Sequence, residues 1–331
     1  MTMSQPRLSV VMPNYNHSRA LPVSVGAILS QTRPPDEIVI VDDGSTDHSL
    51  AVLEAFARGN ARIRIIQHET NKGVVAAVNR GIQEATGDFV FLASADEQMM
   101  PEACEVLMAA LEQNPGSQLV VSAYTEWYPA TGEVVVHDRH SERGLWFIKP
   151  GEEQCALSPR ELEAILKQAF AFLSINTAIF RRQALLDAGL YDPALRWHSD
   201  WFLIYCIALR HGVVAVDRSL VWFRVDEGSY SGHGMRQPAQ QRAVAAAIQA
   251  KLREPEYADF RAALLRAPSA MTTFMRGTLM TLAASPRQYG ALAMILKWWL
   301  LEVLHGRRPG FLKRFTERRR QASLQRRERL Q

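Results

Sequence analysis

Cysteine is scarce in this sequence, and it forms no recognisable metal or disulfide pattern. The 331 residues include three cysteines, Cys104, Cys155 and Cys206, with no C-x-x-C spacing among them. An odd number of widely spaced cysteines, each among apolar residues, argues against a disulfide framework or a zinc site. The pattern instead predicts buried free thiols.

Phosphate-binding glycine motifs and long apolar runs are also missing. Neither G-x-x-x-x-G-K-[ST] nor G-x-G-x-x-G occurs, which excludes a P-loop and a glycine-rich dinucleotide site. The most apolar stretch, residues 289–306, is interrupted by Lys297 and Glu302 and falls short of the ~20 apolar residues that span a bilayer. The first residues, MTMSQPRLSVVMP, carry no signal-peptide pattern. We therefore expect a cytoplasmic protein.

The positive charge lies mostly at one end of the chain. The net charge is +4, yet residues 307–331 carry nine arginines and one lysine against two glutamates. The rest of the chain is slightly acidic, which argues against nucleic acid as a partner. The basic tail follows Trp298 and Trp299, an order typical of a peripheral anchor at the inner membrane surface. A packed helix followed by a disordered end is the other interpretation.

Short β-branched runs alternate with helical segments through the first hundred residues. The predicted strands are 8–13, 37–43, 62–68 and 88–94, and the predicted helices are 20–31, 46–57 and 74–85. This alternation predicts a doubly wound, mostly parallel α/β sheet. In such a sheet, ligands bind outside the carboxyl ends of the strands. The polar residues at those ends are Asn14, Asp42, Asp43, Asp96 and Glu97. We expect them to line one crevice.

The second half of the chain predicts a less regular order of elements. In sequence, we expect strands at 118–128 and 132–138, a helix capped by Ser158 with Pro159 and Glu161 in its first turn, a short helix within 179–192, a long apolar helix at 199–212, and two strands within 213–225. A loop and amphipathic C-terminal helices follow. We divide the chain into a domain at 1–225 (parts 1–116 and 117–225), a helical region at 226–306 and a basic tail at 307–331.

Four sequence blocks in this order resemble a known family. They are VVMPNYN, QTRPPDEIVIVDDGSTDHS, NKGVVAAVNRGIQEATGDFVFLASADE and WHSDWFLIYCIALRHG. Together they resemble the inverting glycosyltransferases of family 2, which have the GT-A fold, over roughly residues 7 to 225. Each block stands at the end of a predicted element, which makes the set specific although any one block alone would be weak.

The resemblance assigns roles to particular residues. It implies that the nucleotide of a sugar–nucleotide donor is bound by Pro13, Asn14, Tyr15, Asp42, Asp43, Lys72, Gly73, Asn79, Ser94 and Ala95. Asp43 matches the contact to the base. Asp96 matches the final acid of a D-x-D motif, which holds Mg²⁺ or Mn²⁺. Asp200 matches the catalytic base, for which Glu97 and His198 are the alternatives.

Two departures and several plainer interpretations stay open. Ser94 stands where D-x-D has its first acid, and Ser199 replaces the first acid of the family's E-D pair. Asp42 and Asp43 also suit a turn cap, and Asp96 and Asp200 suit helix caps. Lys72 is equally well read as a plain loop charge. His233 is either a metal or phosphate contact or a surface histidine.

The resemblance implies an enzyme that moves a sugar to an acceptor hydroxyl with inversion. A UDP-sugar is the favoured donor, and the acceptor is a glycan, a lipid-linked molecule or a protein. Two rival functions remain: a catalytically silent sugar-nucleotide-binding module, favoured by the two missing acids, and a nucleotidyltransferase. The second rival requires a glycine-rich basic loop after the first strand, where this chain has NYNHSRA.

Overall fold

A computed structural model describes residues 5–141, 144–225, 237–267, 269–270 and 293 of the chain. The chain divides into two compact units, residues 1–277 and 278–331, and every element named below belongs to the first. His233, Trp298, Trp299 and the basic tail lie outside the described residues. The three-part functional division at residues 225 and 306 stays a prediction.

The described strands all join one mixed sheet. They are β1 Leu8–Asn14, β2 Glu37–Asp42, β3 Ile63–Gln67, β4 Phe89–Leu92, β5 Gln98–Met99, β6 Leu119–Tyr128, β7 Glu133–His137, β8 Gln154–Leu157, β9 Ala178–Arg181 and β10 Val213–Arg224. The helices are α1 Leu21–Leu29, α2 Ser49–Gly59, α3 Val74–Glu84, α4 Ala103–Gln113, α5 Pro159–Gln168, α6 Arg182–Asp187, α7 Ser199–His211, α8 Pro238–Lys251 and α9 Ala258–Arg266. Short 3₁₀ turns lie at Ile175–Thr177, Pro193–His198 and Pro255–Tyr257.

The order of the strands brings several carboxyl ends to one edge. The sheet runs β3-β2-β1-β4-β9-β6-β10-β5, with β7 paired to β6 and β8 paired to β10. β3, β2, β1 and β4 are parallel. β9 is antiparallel to both β4 and β6, and β10 is parallel to β6. β1, β2, β4, β6 and β10 therefore all end at the same edge, and the predicted α/β fold class is confirmed.

Both faces of the first strands are covered, which explains their nearly uninterrupted apolar sequence. On one face, residues of α1, α2 and α4 share a core with β1, β2 and β4. On the other face, α3 approaches β1 at Gly81, where an added Cβ would stand 2.3 Å from a side-chain carbon of Val11. Glycine is therefore required at this position for the helix to reach the sheet.

The predicted elements beyond residue 117 are partly confirmed. Ser158 and Glu161 form a reciprocal capping box at the start of α5. Residues 199–211 form α7, which Gly212 ends at φ +84°. The short helix predicted within 179–192 is wrong at its beginning, because Ala178–Arg181 is a strand held between β4 and β6. The two strands predicted within 213–225 are one strand with register shifts.

The predictions about thiols and apolar runs can be compared with the described residues. All three cysteines are free; Cys104 and Cys206 are buried and Cys155 is half-buried. Burial raises the pKa of the Cys104 thiol to about 12. In the part of the chain that the structure describes, no helix is both long and apolar enough to cross a bilayer.

Candidate functional site

The carboxyl ends of β1 and β2 are locked together by buried polar side chains. Asn14 Nδ2 donates to Asp42 Oδ1 at 2.7 Å, and the Ser45 hydroxyl donates to the same oxygen at 2.6 Å. The main-chain N–H of Ser45 donates to Asp42 Oδ2 at 3.1 Å. Asp42 therefore caps the turn after β2, which agrees with the plainer interpretation of this residue from the sequence. Among the described residues, the buried Asn14 Oδ1 accepts no hydrogen bond.

Asp43 connects the turn after β2 to the loop after β3. Its Oδ1 accepts from the main-chain N–H of Lys72 at 2.9 Å, and its Oδ2 accepts from that of Gly73 at 2.7 Å. His68 Nδ1 lies 2.7 Å from Asp43 Oδ1, and because a carboxylate only accepts, the imidazole is the donor. Asp43 is 2% exposed, so these contacts replace the water that its charge would otherwise need.

The two loops around Asp43 approach each other closely. Gly44 has φ +69°, and a Cβ at this position would stand 2.7 Å from the carbonyl carbon of Thr70. Asn16, after β1, accepts the main-chain N–H of Thr46 at 2.8 Å. These contacts fix a polar rim along the ends of β1, β2 and β3.

Four residues near this rim that are predicted to bind the sugar–nucleotide donor differ in their exposure and in their hydrogen bonds. Tyr15 is 40% exposed, the Lys72 side chain is exposed and Pro13 is half-buried, so a ligand can reach them. Asn79 is occupied: its Nδ2 donates to the carbonyl of Tyr191 at 2.8 Å, and its Oδ1 accepts the N–H of Tyr191 at 2.9 Å. A donor contact by Asn79 stays a prediction.

The segment after β4 brings a further carboxylate to the same edge. The Ser94 hydroxyl donates to Asp96 Oδ1 at 2.5 Å, and the carbonyl of the buried Ala95 accepts from Ser24 at 2.9 Å. β5 separates Asp96 from α4, whose N-cap is Glu102, so Asp96 does not cap that helix. Strands β2 and β4 flank β1 and are about 10 Å apart at the normal strand spacing, a distance that a nucleoside diphosphate can bridge.

Glu97 faces a different environment from its neighbour. Asn176 Nδ2 donates to Glu97 Oε2 at 3.0 Å, and both residues line a cavity of about 10 Å³. Desolvation, and then the charge of Asp96, raise the pKa of Glu97 to about 8 although the bond from Asn176 favours the charged form. This shift favours the protonated form of Glu97, which weakens it as a proton acceptor.

The oxygen atoms around Asp96 could serve as ligands of Mg²⁺. Among the described residues, no group of three or more His, Cys, Asp or Glu side chains could hold a metal by itself. Mg²⁺ does not need such a cage, because it is commonly bound through one or two carboxylates together with waters and substrate phosphates. Asp96, half-buried and flanked by the Ser94 hydroxyl, fits this open arrangement.

Asp200 lies in the first turn of α7. It is half-buried, and its Oδ1 accepts the main-chain N–H of Trp201 at 2.5 Å. Desolvation raises the pKa of Asp200 to about 6, and the main-chain hydrogen bonds only partly offset this effect. The N-cap position of α7 is His198, so Asp200 stands inside the helix rather than at its cap. Its carboxylate is thus ionised at neutral pH and still basic enough to take a proton.

Two neighbours of Asp200 titrate far from neutral pH. Burial, and then the charge of Asp200, raise the pKa of the Tyr191 hydroxyl well above its ordinary value. Burial lowers the pKa of His198 to about 4. Of the three candidate bases, Asp200 has the pKa nearest to neutral on the ionised side, whereas Glu97 holds its proton and His198 binds one only weakly.

Three residues of the site were not predicted from the sequence. His68 follows β3 at the carboxyl edge, so the rule that selected Asp43 and Asp96 could have selected it as well. Asn176 and Tyr191 reach the site from segments far along the chain, and no local signal marks them.

Comparison with known proteins identifies the family of the chain. The family model described as Glycosyl transferase family 2 matches residues 9–187, more than half of the chain. The chain therefore belongs to glycosyl transferase family 2, and the resemblance inferred from the sequence is confirmed.

Relatives in other organisms match about two thirds of the chain. The uncharacterized glycosyltransferase YibD of Escherichia coli is 35% identical over 212 residues, which are 61% of this chain and 58% of YibD. The glycosyltransferase GlyG of Streptococcus pneumoniae is 32% identical, over 67% of this chain and 72% of its own length. The chain spans only 42% to 65% of the length of YibD and three further relatives.

Solved structures share the fold at low sequence identity. TarS of S. aureus, in complex with UDP-GlcNAc, has a TM-score of 0.58 at 17% identity, with 88% of this chain and 89% of TarS covered. The mannosyltransferase PcManGT of Pyrobaculum calidifontis, in complex with GDP-Man and Mn²⁺, has a TM-score of 0.51 at 18% identity, with 90% and 81% covered.

Proposed function

We propose that this protein is a metal-dependent inverting glycosyltransferase that transfers a sugar from a nucleotide-diphosphate sugar to an acceptor hydroxyl. Membership of glycosyl transferase family 2 supports the reaction class. The observation that carries the mechanism is the position of Asp200, a half-buried carboxylate in the first turn of α7, and burial raises its pKa to about 6. A general base works best when its pKa lies near the working pH.

The nucleotide is proposed to bind along the rim at the ends of β1 to β3. Tyr15 is exposed enough to stack on a base. Asp43 Oδ2 accepts one hydrogen bond from Gly73 and keeps capacity for a ring N–H, since a carboxylate oxygen accepts two. Uracil presents a ring N–H of this kind, as thymine does, and a UDP-sugar is the favoured donor. The UDP-GlcNAc bound by TarS and the GDP-Man bound by PcManGT support a sugar nucleotide of this general kind.

The diphosphate is proposed to lie beside the segment after β4. Asp96, with the Ser94 hydroxyl alongside, would hold a Mg²⁺ or Mn²⁺ ion, which supplies positive charge to the departing diphosphate when it is bound. Ser94 replaces an acid here, and its short hydrogen bond to Asp96 Oδ1 orients the carboxylate without adding a second negative charge. The Mn²⁺ in the complex of PcManGT supports the choice of cation.

In the transfer step Asp200 acts as the general base. The acceptor hydroxyl oxygen attacks the anomeric carbon from the face opposite the nucleoside diphosphate, and the bond to the diphosphate oxygen breaks. Asp200 takes the hydroxyl proton as the new glycosidic bond forms, and the configuration inverts. The N-terminal end of α7 favours the ionised form of Asp200 before the proton arrives.

A donor panel tests the proposal. UDP-, GDP- and dTDP-sugars are assayed for binding by thermal shift and for transfer and hydrolysis by product analysis, each with Mn²⁺ and with EDTA. Asp96→Ala is expected to abolish the Mn²⁺-dependent part of donor binding, and Asp88→Ala, at an exposed carboxylate before β4, is the matched control. Donor binding without any turnover would identify the silent binding module. Formation of a sugar nucleotide from a sugar phosphate would identify a nucleotidyltransferase.

A further inference from the structure

The side chain of Asn79 ties the segment that carries Asp200 to α3. The amide of Asn79 makes two hydrogen bonds to the main chain of Tyr191, one to its carbonyl at 2.8 Å and one from its N–H at 2.9 Å. Both polar atoms of Asn79 are thereby used. A side-chain amide that pairs in this way acts like a neighbouring strand and fixes both the position and the direction of the main chain.

A second contact closes the same segment at its other end. The Ser199 hydroxyl donates to the carbonyl of Asp192 at 2.5 Å, and Asp200 is the next residue. Lys251 of α8 lies 3.1 Å from Asp192 Oδ2. We call residues 191–200 the base turn. Its main chain is held at 191 by Asn79 of α3 and at 192 by Ser199, and Lys251 pairs with the side chain of Asp192.

The base turn is not a conformation that the chain adopts without help. Leu190, directly before it, has φ +61°, and Arg196 inside it has φ +48°. Residues other than glycine rarely occupy this region, and such backbone costs of order 1–3 kcal/mol each. External contacts must therefore maintain the turn. The charge of Asp200 acts on the hydroxyl of Tyr191, so the residue that Asn79 holds is also a neighbour of the carboxylate.

We propose that Asn79 is a positioning residue, which fixes the main chain of Tyr191 and through it the base turn that carries Asp200. This inference rests on the proposed function, because it assigns Asn79 to the base and not to the donor nucleotide. Ser199, which replaces an acid of the family pattern, serves the same turn through its hydroxyl. α3 thus connects two parts of the site. Its N-terminal end adjoins the polar rim proposed to bind the donor, and its residue Asn79 holds the base turn that carries Asp200.

The test separates turnover from donor binding. Asn79→Ala is compared with Gln83→Ala, which removes an exposed amide from the same helix. For Asn79→Ala, kcat should fall roughly 10–10²-fold, the size expected for a displaced catalytic group, with the KM for the donor and the affinity for UDP with Mn²⁺ within twofold of wild type. Gln83→Ala should leave all three unchanged. Asn79→Gln, which keeps both hydrogen-bonding groups on a longer side chain, should recover part of kcat and provides a folded variant if Asn79→Ala is insoluble.

A double-variant cycle tests whether the two contacts serve one turn. Asn79→Ala and Ser199→Ala combined should lower kcat by clearly less than the product of the single effects, because both release the same segment. Hydrogen exchange of the peptide over 190–200 should accelerate in both single variants. Weaker UDP binding in Asn79→Ala at unchanged kcat would return Asn79 to the donor site, and unchanged kcat and KM would also overturn the inference. A wild-type protein that binds UDP but transfers no sugar from any donor would refute the proposed function itself.

Discussion

The raised pKa of Asp200 has a consequence for stability that can be measured without an acceptor. The pKa of an aspartate is about 4 in an unfolded chain and about 6 at this position in the folded protein. The folded state therefore holds the proton more tightly than the unfolded state. Its contribution to stability is fully present below pH 4 and is lost as the pH rises from 4 to 6.

The size of this effect follows from the size of the pKa shift. Two pKa units correspond to about 3 kcal/mol at 1.36 kcal/mol per unit, and partial exposure of Asp200 to solvent reduces the expected value to about 2 kcal/mol. In Asp200→Asn the side chain is neutral at every pH and can still accept the hydrogen bond from Trp201. The variant should therefore equal wild type near pH 4 and exceed it by about 2 kcal/mol above pH 7.

The assay is urea or thermal unfolding of wild type and variant at pH 4.5, 6 and 7.5. The control is Asp187→Asn, at an exposed aspartate of α6. Turnover at pH 7.5 should fall in the same Asp200→Asn protein by the roughly 10²–10⁴-fold that general base catalysis supplies. If wild type and Asp200→Asn are equally stable at all three pH values, the carboxylate of Asp200 is exposed to water and its pKa is not raised by burial. Full activity would show that the base is another residue.

Three further predictions concern the rim and the tail. Asp43→Asn should weaken UDP binding about 10–100-fold by calorimetry, the equivalent of one charged hydrogen bond. Unchanged binding would show that the uracil ring does not contact Asp43. Gly44→Ala should destabilise the protein by roughly 1–3 kcal/mol, because its φ is positive and a Cβ would meet the next loop; Gly59→Ala, which has open space around it, should be neutral or slightly stabilising in the same melts. Deletion after Gly306 should preserve transfer to a soluble acceptor and lower binding to anionic vesicles, by up to ~1 kcal/mol per basic residue, and equal vesicle binding would contradict an anchor.

The first four strands could be predicted because their signal is local. β1, β2 and β4 are short apolar runs that are almost entirely buried, and the partly buried β3 is rich in isoleucine. The capping box at Ser158 is similarly local, since two residues three positions apart, Ser158 and Glu161, form it. The carboxyl-edge rule then selected Asp43 and Asp96 without any knowledge of their contacts.

The elements that could not be predicted depend on partners distant in sequence. Residues 178–181 form a strand only because β4 and β6 provide hydrogen bonds on both sides, whereas their local sequence leads into a helix. Asp217 lies within β10 where the sequence suggested a turn; the pairing of β10 with β6 shifts its register between Val216 and Ser219, and the carboxylate of Asp217 pairs with Arg139 from another part of the chain. The two hydrogen bonds of Asn79 span 112 residues, so its place beside the base turn was equally hidden.

The position of β9 sets the order in which the protein can fold during synthesis. β4 is completed at residue 92, yet its neighbour on one side, residues 178–181, leaves the ribosome almost ninety residues later. At about 5–20 residues per second this delay is roughly 5–20 s. Throughout it, Phe89, Val90 and Phe91 present an unpaired apolar edge, which is a template for aggregation. A chain released after residue 116 would lack β9 and would keep this edge of β4 unpaired.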